Sequence, residues 1–359
     1  MDFKNFSLLI IAGGKFSNFG RDKRFIEVGG KKLLENILQK AIEKNFAQIF
    51  LCVEEEILPI QILSWKYEAK ILVNKFKNSS LLAELATGLS KIQTDWALAI
   101  SADMPFFDFD VLQVEKFSRL RAIIPVVEKK SQPLAAFYHK SLAEKFSQAI
   151  HGGTTEILDA LNLDAMKKIP QKFVDISANA KIFFKIETRA DLRLATGRAA
   201  NLLRKVPVIS VAVTDDESTF TENLIQALAK ENISVGVIKN FAEEFNFEIE
   251  GAKKFQSAGA KKIAAISPQG WLMFQQTEKR EDFLTVAEKF EGVDLILIES
   301  KIPVIQPALS LLDFEDIKAD KKIVAIFSNS PEKSDEVFQF DLTDTNSAVK
   351  VCKFLMCRA

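Results

Sequence analysis

Short apolar runs alternate along the chain with segments of helical period: FSLLIIA, KKLLENILQKAIEK, QIFLCV, SLLAELATGLSKI, DWALAIS, VLQVEKFSRL and AIIPVV. This alternation constrains the fold more than any other feature. It predicts βαβ units and a mainly parallel sheet covered by helices. Around residues 195 to 206 a glycine, small residues and basic charge lead to a proline and a new apolar run, VISVAV. The alternation then restarts as FTENLIQALAKEN, SVGVIK, KKIAAIS, GWLMF, VDLILIE and KKIVAIF. A 359-residue chain is long for one core, so the reading is two α/β domains in series. The first spans 1–197, a linker 198–206, and the second 207–359, with no short-period repeat.

Composition removes several function classes. Lys plus Arg and Asp plus Glu both number 48, so no overall field recruits nucleic acid or an anionic membrane. With 48% hydrophobic residues the chain can bury proper cores, so disorder is excluded. The opening MDFKNFSLLIIAGG lacks a basic region before a cleavage site, and its apolar run is too short to span a bilayer. The expectation is a cytoplasmic protein. Cys52, Cys352 and Cys357 form no paired framework, and only His139 and His151 could add imidazole ligands. A structural zinc site and a histidine triad are therefore not expected.

Two constellations carry chemistry. In AGGKFSNFGRDK, residues 12–23, glycines after a strand let backbone N–H groups turn toward an anion without interference from Cβ, and Lys23 can neutralise phosphate charge. For Gly13 and Gly14 alone, a tight strand-to-helix turn would be the simpler reading. In ALAISADMPFF, Asp103 follows a buried strand, where open α/β sheets bind ligands and a carboxylate can hold Mg²⁺ against phosphate oxygens. A lone aspartate there would be read as a helix cap. The two constellations together favour a nucleotide site.

Together these residues resemble the molybdenum cofactor guanylyltransferases, the MobA type of nucleotidyltransferase, whose loop reads L-A-G-G-x-S-x-R-M-G-x-D-K. The likeness begins at Ile11-Ala12-Gly13-Gly14 and continues through Gly20-Arg21-Asp22-Lys23 and FIEVGGKKLLENIL. It returns at Asp103-Met104-Pro105, QPLAAFYHKSL and KIFFKIETRADL, covering nearly all of residues 1 to about 197. The resemblance implies a Rossmann-like nucleotidyltransferase domain. Ile11, Ala12, Gly13 and Gly14 would hold base and phosphates, Lys23 would bind phosphate, and Asp103 would bind Mg²⁺. By the same resemblance Asn74 stands at a nucleotide-binding position where an aspartate is expected, and Glu187 stands at an asparagine position, where its carboxylate is a second metal candidate or equally a surface charge.

Departures cluster at the chemistry. Asn18 replaces the loop arginine, and a neutral amide cannot supply a forked cation. The family's G-P-L-A-G segment is Ser80-Leu81-Leu82-Ala83-Glu84, which puts side chains where glycines let substrate approach. Cys52 and Glu54 occupy the region of an N-x-N segment.

The second half resembles the MobB family, GTP-binding adaptors of the same pathway with a P-loop-NTPase-like α/β fold. VISVAV, the following helix rhythm and Ser234-Val235-Gly236-Val237-Ile238-Lys239 match its flanks, and VDLILIESKI matches its D-L-V-L-V-E-G-F-K segment at Glu299 and Lys301. The phosphate loop does not match. Asp216 and Glu217 stand at the glycine and lysine positions, Ser218 at the Mg²⁺ ligand, and with Asp215 they reverse the local field. The expectation is an adaptor fold without a working Walker A loop. An exposed acidic helix start is the simpler reading of that stretch.

The first functional reading is transfer of GMP from GTP to Mo-molybdopterin, giving the guanine dinucleotide cofactor and pyrophosphate, with the second domain assisting delivery to molybdoenzyme apoproteins. The adaptor resemblance implies a homodimer through that domain. The departures support an alternative, a non-catalytic cofactor-handling or regulatory scaffold. A third reading is nucleotidyl transfer with another base or acceptor.

Overall fold

A computed structural model describes residues 2–13, 19–76, 80–112, 120–162, 171–175, 177–214, 219–241, 252–275, 277, 279–311 and 319–356. Two compact units result, Met1–Ala195 and Thr196–Arg358. The division falls within one helix, Arg189–Leu202, so residues 198–202 of the expected linker are helical. Asn201 ties that segment into the second unit: its side chain accepts from Val208 N at 3.1 Å and donates to Leu355 O at 3.2 Å.

In the first unit, β1 (Phe6–Ile11) is buried along its whole length, as a central strand covered on both faces must be. Leu8 and Ile10 belong to one core cluster and Leu9 and Ile11 to the other, following the two-residue period of a strand. Helices α1 (Leu33–Glu43) and α2 (Leu58–Lys66) cover the first face. Helices α3 (Leu81–Leu89) and α4 (Leu142–His151) cover the second. In α1 the buried residues Leu33, Leu34, Ile37, Leu38 and Ala41 recur at helical spacing.

Strand β1 pairs in parallel with β2 (Gln48–Val53) on one side, and β2 with β3 (Lys70–Val73). On its other side lies β4 (Trp96–Ser101), also parallel. Beyond it the expected parallel order changes. Strand β6 (Ala135–His139) runs antiparallel between β4 and β5 (Ala122–Val127), and Gln171–Asp175 pairs in parallel with β5. The chain thus leaves β1 toward β2 and β3, then returns through α3 to β4 on the opposite side. The C-terminal ends of β1 and β4 form a topological switch point, where open α/β sheets bind ligands.

The second unit has a parallel sheet in the order Val235–Lys239, Leu295–Ser300, Val208–Ala212, Ala308–Ser310, Ile323–Ser328 and Phe338–Asp341. The runs KKIAAIS and GWLMF do not join it. They form a separate antiparallel hairpin, Lys262–Ser267 with Gly270–Gln275. Two connecting residues cannot make the crossover that parallel strands require.

Candidate nucleotide site

Ile11 ends β1, in register with Cys52 on one side and Ser101 on the other. The next residues are pinned into the sheet: Ala12 N donates to Cys52 O at 2.8 Å, and Ala102 N to Ile11 O at 3.0 Å. Gly13 and Asp103 therefore emerge side by side, each two residues past its strand. Lys23 is buried, and its Nζ donates to Asp103 Oδ2 at 2.8 Å. The sequence-expected phosphate lysine and strand-end carboxylate meet in the crevice between β1 and β4.

Asp103 Oδ1 is buried with no hydrogen-bond partner among the described residues. A carboxylate oxygen held away from water is costly unless something charged completes it, so this atom fits a cation ligand. Ile186 N donates to the Asp103 carbonyl at 3.1 Å, which brings the next residue, Glu187, to the same end of the sheet. The Glu187 side chain is exposed. Among the described residues no group of three or more His, Cys, Asp or Glu could hold a metal, so a cation here would take its further ligands from water or phosphate oxygens.

Arg24, which the sequence reading did not single out, lies beside these residues. It donates to Ala12 O at 3.1 Å and grips Asp22 through Nε and Nη2, fastening the far end of the glycine loop to its start. Its place directly after Asp22-Lys23 was the available signal. Gly14 and Asn18 lie outside the described residues.

Gly13 N donates to Glu84 Oε2 at 3.0 Å, and Glu84 is 1% exposed on the first turn of α3. The two residues interlock: a Cβ on Gly13 would stand 1.6 Å from Glu84 Oε1, so any larger residue there requires the Glu84 side chain to move. Burial, opposed by the Gly13 N–H, pushes the Glu84 carboxyl up to about 7; Glu54 adds to the rise and Arg24 works against it. Burial and the Glu84 charge also raise the Cys52 thiol. Asn74 Oδ1 accepts from Phe76 N at 3.0 Å, while its buried Nδ2 has no partner among the described residues.

An open pocket of about 490 Å³ adjoins this region, lined by Ser80, Leu134, Thr155, Glu156 and Lys185 among others. Ser80 caps α3 by accepting from Ala83 N, and Ser101 N donates to Leu134 O. The pocket thus takes part of its wall from the start of α3, and Leu134 in its lining is bonded to the last residue of β4.

Residues 8–165 match the family described as the MobA-like NTP transferase domain, and residues 186–329 match molybdopterin guanine dinucleotide synthesis protein B. The chain joins a MobA-like NTP transferase domain to a MobB domain. The MobA-like domain is similar to the probable molybdenum cofactor guanylyltransferase of Natranaerobius thermophilus, 27% identical over 200 residues, covering 53% of this chain and 95% of that protein. The protein of the same name from Bacillus cereus is 24% identical over 189 residues, covering 51% and 92%. Among solved structures, molybdopterin-guanine dinucleotide biosynthesis protein A of Archaeoglobus fulgidus is 23% identical with a TM-score of 0.45, covering 54% of this chain and 99% of that one. Bacillus subtilis MobB is 19% identical with a TM-score of 0.35, covering 42% and 97%.

In the MobB domain the strand Val208–Ala212 leads to a helix, Phe220–Lys230, the framework expected around a phosphate loop. Asp215, Asp216, Glu217 and Ser218 lie outside the described residues. Glu299 pairs with Lys239 at 3.1 Å. Asp294 accepts from Ser234 N and Oγ at 2.9 and 2.6 Å, a structural tie at the start of its strand. Among the described residues no helix is long and apolar enough to cross a membrane.

Proposed function

We propose that the chain acts in molybdenum cofactor biosynthesis, joining the GMP part of GTP to the phosphate of Mo-molybdopterin. The observation that carries this reading is the Lys23–Asp103 pair at the switch point, in a domain similar to named guanylyltransferases over nearly their whole length. An acceptor phosphate oxygen attacks the α-phosphorus of GTP, the bond from that phosphorus to the β-phosphate oxygen breaks, and pyrophosphate leaves. Such a step needs alignment and charge stabilisation more than covalent help from the protein. Lys23 supplies a buried ammonium for the phosphates, and the backbone from Ile11 to Gly14 positions the nucleotide. Asp103, with Glu187 as a second candidate, would hold a divalent cation, Mg²⁺ in this proposal, which neutralises phosphate charge when bound. The neighbouring pocket, with Lys185 at its edge, is the place for the acceptor, its volume falling within the range of small-molecule sites.

The MobB domain serves as an adaptor toward molybdoenzyme apoproteins without binding GTP, because three carboxylates replace the cation of a phosphate loop. A homodimer through this domain is supported by its free-standing hairpin, on which Ile266 and Trp271 are 85% and 69% exposed.

Calorimetry with GTP and CTP, with and without Mg²⁺, followed by pyrophosphate release with Mo-molybdopterin supplied, tests the reading. Metal-dependent GTP binding and stoichiometric pyrophosphate are expected. A chain that binds no GTP would defeat it.

A further inference from the structure

Helix α1 carries Asn36, Lys40 and, as its C-cap, Lys44 in one row, at the four-residue spacing that aligns side chains along a helix. Each fastens a successive point of the segment that leaves Asp103. Asn36 Nδ2 donates to Pro105 O at 2.7 Å, and Lys40 Nζ donates to Pro105 O at 3.3 Å and to Phe107 O at 2.9 Å. Lys44 Nζ meets both oxygens of Asp110 at 2.7 Å. Met104, Phe107 and Phe109 meanwhile pack into the core cluster that holds Leu34, Ile37 and Leu38. The chain after β4 is thus laid along α1.

The Lys40 contact is costly to keep. Burial holds its ammonium below the ordinary value, Asp108 and Glu43 oppose that shift, and Lys31 adds to it. Its hydrogen bonds among the described residues go to two backbone carbonyls, not to a carboxylate. An apolar side chain would cover the same core without desolvating a charge, so what the ammonium adds is a hold on those two carbonyls.

The same helix also governs the other charged group of the crevice. Leu33 N, at the start of α1, donates to Ile26 O at 3.0 Å, and Ile26 N donates to Lys23 O at 3.1 Å. One rigid element therefore fixes both the backbone that carries Lys23 and the turn that carries Asp103. A site that binds a cation between a carboxylate and a phosphate works only while its groups keep their spacing.

We propose that Asn36 and Lys40 are positioning residues, locking the turn from Met104 to Phe107 so that the Asp103 carboxylate stays set against Lys23 and ready for a metal-bound phosphate. This rests on the nucleotidyltransferase reading above and adds to it the helix that sets the distance between the two charged groups. Both residues act through the backbone.

GTP binding to the full chain is measured by calorimetry with and without Mg²⁺ for the natural sequence, Asn36→Ala, Lys40→Met and Lys44→Ala, and urea unfolding reads the stability of each. Asn36→Ala and Lys40→Met should each cut the gain in affinity that Mg²⁺ brings by roughly 10-fold, the lower end for outer partners of a metal ligand, and leave metal-free affinity within about two-fold. Lys44→Ala removes an exposed ion pair of the same row and should leave both affinities unchanged. An undiminished Mg²⁺ gain in both Asn36→Ala and Lys40→Met overturns the assignment. Equal losses with and without Mg²⁺ overturn it too, as does the same loss in Lys44→Ala, because the row would then serve only to hold the fold. A natural chain whose GTP binding gains nothing from Mg²⁺ overturns the nucleotidyltransferase reading and this inference with it.

Discussion

Lys23 Nζ lies 2.8 Å from Asp103 Oδ2, joining the glycine loop after the first strand to the end of the strand beside it. The two side chains are only 7% and 17% exposed, so each neutralises a charge the other could not leave in that place alone. A ligand phosphate entering the crevice would meet the ammonium, while Asp103 Oδ1 is the atom available to a cation.

Replacing Asp103 by alanine should abolish Mg²⁺-dependent nucleotide binding and remove the carboxylate that neutralises a buried ammonium, at a cost of about 3–5 kcal/mol in stability. Urea unfolding measures the second effect, and calorimetry at a temperature where the variant remains folded measures the first. Asp103→Asn should lose the metal dependence with a smaller loss of stability.

Gly13→Ala drives a methyl group into the Glu84 carboxylate and should cost about 1–3 kcal/mol by overpacking. In a double-mutant cycle with Glu84→Ala, most of that cost should vanish, because the atom it strikes is gone. Additive losses in chemical denaturation would show that the loop yields instead.

Stability should also carry the signature of the Glu84 carboxyl. Its value in the fold, about 7, lies above the ordinary 4.5, so the folded chain holds this proton more tightly than the unfolded chain. Its contribution is therefore fully present below about 4.5 and falls by about 3 kcal/mol as pH rises to about 7. Glu84→Gln should remove that slope, making the variant gain on the natural chain across this window when unfolding is followed against pH.

Asn18→Arg restores a forked cation to the loop expected to meet the triphosphate and should tighten GTP binding ~10-fold or more. Unchanged affinity in calorimetry would separate this position from the phosphates.

Charged substitutions on the hairpin, Ile266→Lys and Trp271→Lys, should shift a dimer toward monomer in sedimentation equilibrium without lowering the unfolding midpoint of the MobA-like domain. A two-stranded hairpin gains little stability alone, so its apolar face is expected to be covered.

Much of this molecule was legible in its sequence because burial leaves a period that can be read locally. Runs such as FSLLII and WALAIS announced central strands, LLENILQKAIE announced a helix with one buried stripe, and glycines and charges placed just past strand ends marked Gly13, Lys23 and Asp103. Strand direction was not written there. Ala135–His139 and the hairpin partner Gly270–Gln275 are apolar runs like the parallel strands, and only pairing with distant neighbours or a two-residue turn reversed them.

Residue types and their order along the chain thus determined the alternating layers and the groups able to handle phosphate. Tertiary structure decided which of those groups meet. Sequence alone read Glu84 as a side chain in the way of substrate; folding sets it on the Gly13 amide, because α3 packs its first turn over the end of β1. That contact changes what the group can do, since an exposed carboxylate would simply be hydrated, whereas burial against a single backbone N–H pushes its carboxyl up to about 7.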